Sequence, residues 1–120
     1  MRLVHHCLIE AGQRFPDKTA VVCDEKKLSY AEFLGKMNAL SIMLGDSGVG
    51  KGDRALILLG DKADFLVASY AVIARGTIAV PVLEGAALVT IEQIAQDCTP
   101  DILITSSQDL ADYPLLLDRL

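Results

Sequence analysis

The sequence predicts an α/β fold: a largely parallel sheet with crossover helices on both faces, preceded by an N-terminal helix and a β-hairpin. Three observations lead there. Two short runs, residues 55–59 (Ala-Leu-Ile-Leu-Leu) and 102–105 (Ile-Leu-Ile-Thr), are almost wholly apolar, as in strands covered on both faces. Segments between the candidate strands carry apolar residues at steps of three and four, the spacing of one helix face. Strands and helices alternate with connections long enough for right-handed crossovers between parallel neighbours.

Each element has its own signal. Val4, Leu8, Ala11 and Phe15 fall at helical spacing, and Pro16 stops that helix. Residues 19–23 read as a strand and 27–30 as a second, with Asp24-Glu25-Lys26 as the turn between them. Phe33, Met37, Leu40 and Leu44 mark an amphipathic helix from Ala31 to about Leu44; Ser29 stands three residues before Glu32, the spacing of a capping box. Gly45 and Gly48 supply the backbone freedom to leave it. Residues 55–59 form the first core strand. Residues 61–75 form a helix apolar almost all round, hence buried. Gly76 closes that helix and residues 77–82 give the next strand. Ile91, Ile94, Ala95 and Cys98 stripe another helix, which stops near Pro100 before the strand at 102–105. Residues 108–120 read as helical with an interruption near Pro114.

Bulk properties exclude several function classes. The 120 residues make one domain, or one piece of a larger one, and 52% are hydrophobic, above the usual range of roughly 45–50%. Disorder is excluded, and the excess suits a piece that buries one flank against something else. A net charge of −5 argues against a nucleic-acid or anionic-membrane surface, which needs clustered Lys and Arg. The doublet Lys26-Lys27 is read as solvating a turn. Cys7, Cys23 and Cys98 are odd in number and show no CxxC spacing, so reduced thiols in a cytoplasmic protein are expected, not a disulfide framework or a zinc site. Arg2 leads into a run broken by His5, His6 and Glu10, which does not read as a signal peptide. The apolar stretch at 65–74 is too short to span a bilayer.

Residues 45–52 almost spell a phosphate-binding loop, but Gly52 stands where Ser or Thr must hold magnesium. The context is also reversed, with a helix before and a strand after. His5, His6 and Cys7 are adjacent on a helix, point in three directions and are read as surface or helix-flank residues. Tyr30 and Tyr70 are read as packing residues. No catalytic, cofactor-binding or metal-binding residue is assigned.

Five runs occur in a telling order: residues 15–22 (Phe-Pro-Asp-Lys-Thr-Ala-Val-Val), 28–32 (Leu-Ser-Tyr-Ala-Glu), 48–54 (Gly-Val-Gly-Lys-Gly-Asp-Arg), 74–81 (Ala-Arg-Gly-Thr-Ile-Ala-Val-Pro), and Asp97 and Pro100 with the strand ending Leu103-Ile104-Thr105. With Asn38 inside the intervening helix, they resemble the N-terminal subdomain of an adenylate-forming (AMP-dependent) acyl-CoA synthetase or ligase. The Val4-His5-His6 start and the Gln96-Asp97-Cys98 run tilt the resemblance toward acyl-CoA ligases over amino-acid-activating members. Arg75, where the family usually has Gly, and residues 83–87 depart from the pattern.

The resemblance implies a complete enzyme that activates a carboxylic acid as acyl-AMP and transfers it to a thiol, using ATP, magnesium and CoA or a carrier thiol. The family's Ser/Thr/Gly-rich ATP loop, ribose-binding Asp and mobile C-terminal Lys find no match in residues 1–120, which have no Gly after Gly85. Glycine lets backbone N–H groups approach a phosphate closely. The expectation is therefore a single structural subdomain, not competent alone, whose partner is the remainder of the ligase in the same or a complementary chain. No cofactor is expected on this portion. Alternatives from other classes are a stand-alone non-catalytic interaction module, able to form a homodimer through an exposed apolar flank, and a small flavodoxin-like nucleotide-binding domain.

Overall fold

The computed structural model describes residues 4–113 and residue 116. Helix α1 (Val4–Arg14) leads into an antiparallel hairpin of β1 (Thr19–Cys23) and β2 (Lys26–Ser29), and α2 (Tyr30–Asp46) follows directly. Then come β3 (Arg54–Leu58), α3 (Lys62–Ala74), β4 (Ile78–Pro81), α4 (Leu88–Cys98), β5 (Ile102–Thr105) and α5 (Ser107–Ala111). The last expected helix is thus a short segment within the described residues, and its continuation beyond Pro114 lies outside them except for Leu116.

Strands β4, β3 and β5 form a parallel sheet in that order, with Leu56 opposite both Val80 and Leu103. Central β3 sorts its side chains by alternation. Ala55 and Ile57 pack with Ala68, Ala71 and Val72 of α3 and with Met37 and Leu44 of α2. Leu56 and Leu58 face the other way, against Val82, Ile91 of α4 and Leu116. Both faces of β3 are therefore buried, the physical reason for its unbroken apolar run. Removing each large side chain from water contributes roughly 1.5–3 kcal/mol.

The helix α2 starts where its capping box predicts. Ser29 Oγ accepts from Glu32 N–H at 3.1 Å, and the Glu32 carboxylate accepts from Ser29 N–H at 3.0 Å. Tyr30, expected in the preceding strand, is the first residue of the helix after the Ser29 cap; its N–H and that of Ala31, which have no intrahelical partner, donate to the Lys18 and Pro16 carbonyls. Tyr70 is a packing residue: its ring meets Phe33 edge-on with centroids 5.8 Å apart.

Helix α1 turns a different face inward from the one its apolar spacing suggests. Val4 and Phe15 are 64% and 45% exposed, while His5 is only 8% exposed and Gly12 is buried. The inward face is His5, Leu8, Ile9 and Gly12, at helical spacing displaced by one residue. Gly12 sets that rotation: a Cβ there would fall 2.0 Å from Leu34 Cδ1. Reading His5 as a surface or helix-flank residue is thereby corrected.

Candidate functional site

The two ends of the parallel sheet differ in chemistry. At the N-terminal ends of the strands, the 48–54 turn is braced from several sides. Gly50 N–H donates to Asp53 Oδ2 at 2.9 Å, and Thr77 Oγ1 donates to Gly50 carbonyl at 2.9 Å. Gly52 N–H reaches Gly76 carbonyl at 3.0 Å, and Ile78 N–H reaches Asp53 carbonyl at 2.7 Å. Arg54 extends the brace to β5, its N–H donating to Asp101 Oδ2 at 2.9 Å and its Nη1 to Cys98 carbonyl at 2.6 Å. Gly48, Gly52 and Gly76 all have φ between 73° and 85°, the left-handed region where glycine avoids the Cβ penalty. Residues 45–52 run from the end of α2 into β3, so the near-match to a phosphate loop is a structural turn.

The strands' C-terminal ends open into a crevice. Because β5 lies on the opposite side of β3 from β4, the chain reverses its direction of travel across the sheet between β3 and β5. Open α/β sheets bind ligands at such a switch point, beyond the strands' carboxyl ends. A groove of about 690 Å³ runs between the hairpin turn at Asp24 and Lys26 and the start of α3 at Asp61. An adjoining hollow of about 540 Å³ reaches Ser106 and Asp109. Gly60 joins the two: its N–H donates to Asp109 Oδ1 at 3.0 Å, and a Cβ on Gly60 would come equally close to that oxygen.

The crevice is acidic. Asp61, Asp64, Glu84, Asp109 and Asp112 line the hollow beside Lys26. Lys26 Nζ contacts Asp61 Oδ2 at 2.5 Å, crossing from the hairpin to the N-cap of α3. It therefore does more than solvate a turn. That hydrogen bond raises the Lys26 pKa above its ordinary value, with the Asp61 charge adding to it. The same bond, followed by the one from Asp64 N–H, lowers that of Asp61. Asp109 is likewise engaged, accepting from Gly60 and from Ser106 Oγ at 2.5 Å.

These residues do not fit nucleotide phosphates. A triphosphate needs converging N–H donors or cations, whereas carboxylates here outnumber the two ammonium groups, Lys26 and Lys62, and Asp61 and Asp109 are taken up by cap and loop hydrogen bonds. Among the described residues, no group of three or more His, Cys, Asp and Glu could hold a metal ion. No helix among them is long and apolar enough to cross a membrane. Sequence reasoning missed the crevice. Its local signal was the Ser106–Asp109 spacing, which repeats the capping pattern of Ser29 and Glu32.

A family model described as AMP-binding enzyme matches residues 8–119. The solved structure of VinN in complex with 3-methylaspartate superposes with a TM-score of 0.89 at 26% identity, covering 99% of this chain and 33% of VinN. O-succinylbenzoate coenzyme A synthetase from Bacillus subtilis, solved in complex with AMP, gives a TM-score of 0.77 at 25% identity, covering 84% of this chain and 26% of that one. The L-proline–[L-prolyl-carrier protein] ligase of Pseudomonas fluorescens is 28% identical over 112 residues, 93% of this chain and 22% of its own length. The chain therefore spans about a third or less of each of these relatives. It belongs to the AMP-binding enzyme family, and it matches the N-terminal portion of that family's adenylate-forming fold.

Proposed function

We propose that residues 1–120 form the N-terminal structural part of an AMP-forming ligase that activates a carboxylic acid as acyl-AMP and passes it to a thiol. By itself this part performs no chemistry. One observation carries the reading: the family-like runs at 48–54 and 74–81 brace the N-terminal ends of the strands, while the crevice at the other end offers carboxylates in place of phosphate donors. The sheet and helices then serve as a platform for an active site built mostly by the rest of the enzyme.

In that enzyme ATP and magnesium activate the acid, and CoA or a carrier thiol accepts it. Both kinds of acceptor occur among the relatives, one a coenzyme A synthetase and another a carrier-protein ligase. Of the two we adopt the acyl-CoA branch, on the Val4-His5-His6 and Gln96-Asp97-Cys98 runs, and a cytoplasmic setting.

The reading is tested by replacing the aligned segment of the Bacillus subtilis synthetase with residues 1–120. The expected result is a folded chimera that still forms O-succinylbenzoyl-CoA. A monodisperse, cooperatively folding chimera without that activity would overturn it.

A further inference from the structure

Helix α1 is held to the core by few groups. It packs on α2 and α3, yet its fully buried residues are His5 and Gly12 alone. Leu8 and Ile9 are only partly buried against the same core. Gly12 lets the helix sit close, because a Cβ there would fall 2.0 Å from Leu34 Cδ1. The buried side chain of α1 is therefore an imidazole, and its Nδ1 has no hydrogen-bond partner among the described residues. Its ring stands edge-on to that of His6, with centroids 4.5 Å apart.

The chain just after α1 is pinned separately. Ala31 N–H donates to Pro16 carbonyl at 3.0 Å, and Tyr30 N–H to Lys18 carbonyl at 2.9 Å. These bonds tie the entry to β1 to the start of α2, so a release of α1 ends at Pro16. Elements with few buried apolar contacts open locally, below the cost of global unfolding. A freed helix of 11 residues is marginal in water, so release bares its backbone N–H groups.

Charge favours that release in acid. The charged groups on the elements packed against α1 are Glu32, Lys36 and Asp46 of α2 and Lys62 and Asp64 of α3. Tyr30 and Tyr70 on the same helices stay neutral near pH 6, and α1 itself carries Glu10 and Arg14. The charge that bears on the His5 ring is that of His6, and it opposes protonation, as burial does more strongly. A proton on docked His5 thus has no carboxylate to offset its cost among the described residues.

We propose that α1 is an acid-released latch: a proton on His5 frees the helix from α2 and α3 while the hairpin and the parallel sheet stay folded. Release uncovers the part of α2 around Leu34, against which Gly12 sits. Undocked, His5 takes a proton near the ordinary 6.5, whereas the docked ring resists. The opening equilibrium therefore rises as pH falls through that value, by at most about tenfold between pH 7.5 and 5.5. The latch does not depend on the reading under Proposed function.

Native-state amide exchange of the 120-residue chain, read as protection factors at pH 7.5 and 5.5, tests this. At both pH values the amides of Leu8, Ile9 and Gly12 should be protected at least about tenfold less than those of Leu56 and Ile57 in β3, the mark of local opening. Their protection should fall a further five- to tenfold or so between the two pH values. In His5→Leu, or in His5→Gln where the leucine variant does not fold, the pH-dependent fall should shrink below about twofold. In His6→Gln most of it should remain.

Equal protection of α1 and β3 would mean that the helix opens only with the whole domain, which overturns the latch. So would a fall below about twofold in the parent, or the same fall in the His5 variants. Loss of the fall in His6→Gln but not in the His5 variants would give the switch to His6, which also overturns the proposal. The synthetase chimera takes the same measurement, under the same criteria, where the isolated chain does not hold its fold.

Discussion

Arg54 Nη1 donates to the carbonyl oxygen of Cys98 at 2.6 Å, joining the first residue of β3 to the last residue of α4 across 44 positions of sequence. A helix leaves its final carbonyls without intrahelical partners, and here a cation satisfies one of them. The same residue's N–H holds Asp101 at the entry to β5. One side chain thereby fixes where the last strand of the sheet begins.

Truncating that side chain should loosen the edge strand. Arg54→Ala is expected to lower stability by about 1 kcal/mol, the exposed position discounting a charge-assisted bond. The corresponding fall in Tm is about 4 °C for a domain of this size. Urea unfolding checks the first number and a thermal scan the second.

The bracing turn also depends on backbone conformation. Gly76 has a φ of 73°, and its carbonyl accepts from Gly52 N–H at 3.0 Å. Gly76→Ala must force an L-residue into the left-handed region, at roughly 1–2 kcal/mol. A variant as stable as the parent in urea would show that the turn tolerates another path.

The capping box of α2 gives a pH-dependent prediction. The Ser29 N–H bond to the carboxylate, with the Ser29 side chain next, lowers the Glu32 pKa below its ordinary value. The unfolded chain therefore takes up this proton first. The contribution is complete above the ordinary carboxylate range and is lost as pH falls through the folded value. Ser29→Ala should cost about 1 kcal/mol at neutral pH through the lost Oγ cap, while Glu32→Ala removes the acid-sensitive contact, and its difference from the parent should shrink in acid. Urea midpoints at pH 7 and pH 3 decide this.

His5 makes the opposite kind of contact, a buried ring whose Nδ1 has no hydrogen-bond partner among the described residues. Burial, with His6 adding, lowers its pKa below the ordinary 6.5. The unfolded chain gains a proton near that ordinary value while the folded chain resists, so stability is full above it and falls as pH drops toward the folded value. His5→Leu should flatten this loss between pH 7.5 and 5. Parallel curves for parent and variant would show that His5 does not couple to folding.

Local signals in the sequence were accurate and tertiary ones were hidden. The hairpin, the Ser29–Glu32 cap and the apolar run of β3 were legible because each depends on neighbours within a few residues, or on burial of both faces of one strand. The inward face of α1 was misjudged because Gly12, silent in an apolar pattern, decides how closely α2 approaches. Lys26 looked like a solvated charge because its partner, Asp61, lies 35 residues away. The acidic crevice was illegible for the same reason: the hairpin and the loops after β3, β4 and β5 converge only once the strand order is known. The family resemblance rested on five runs in order, and those at 48–54 and 74–81 brace a turn, so the family was legible before any site.

The most direct test of the account is ATP–pyrophosphate exchange by the pure 120-residue chain, assayed across a panel of carboxylic acids. The account predicts no exchange above the enzyme-free rate with any acid, because the crevice holds carboxylates where phosphate donors are required. Exchange that scales with protein concentration and persists through purification would contradict it, and would place a working nucleotide site within these residues.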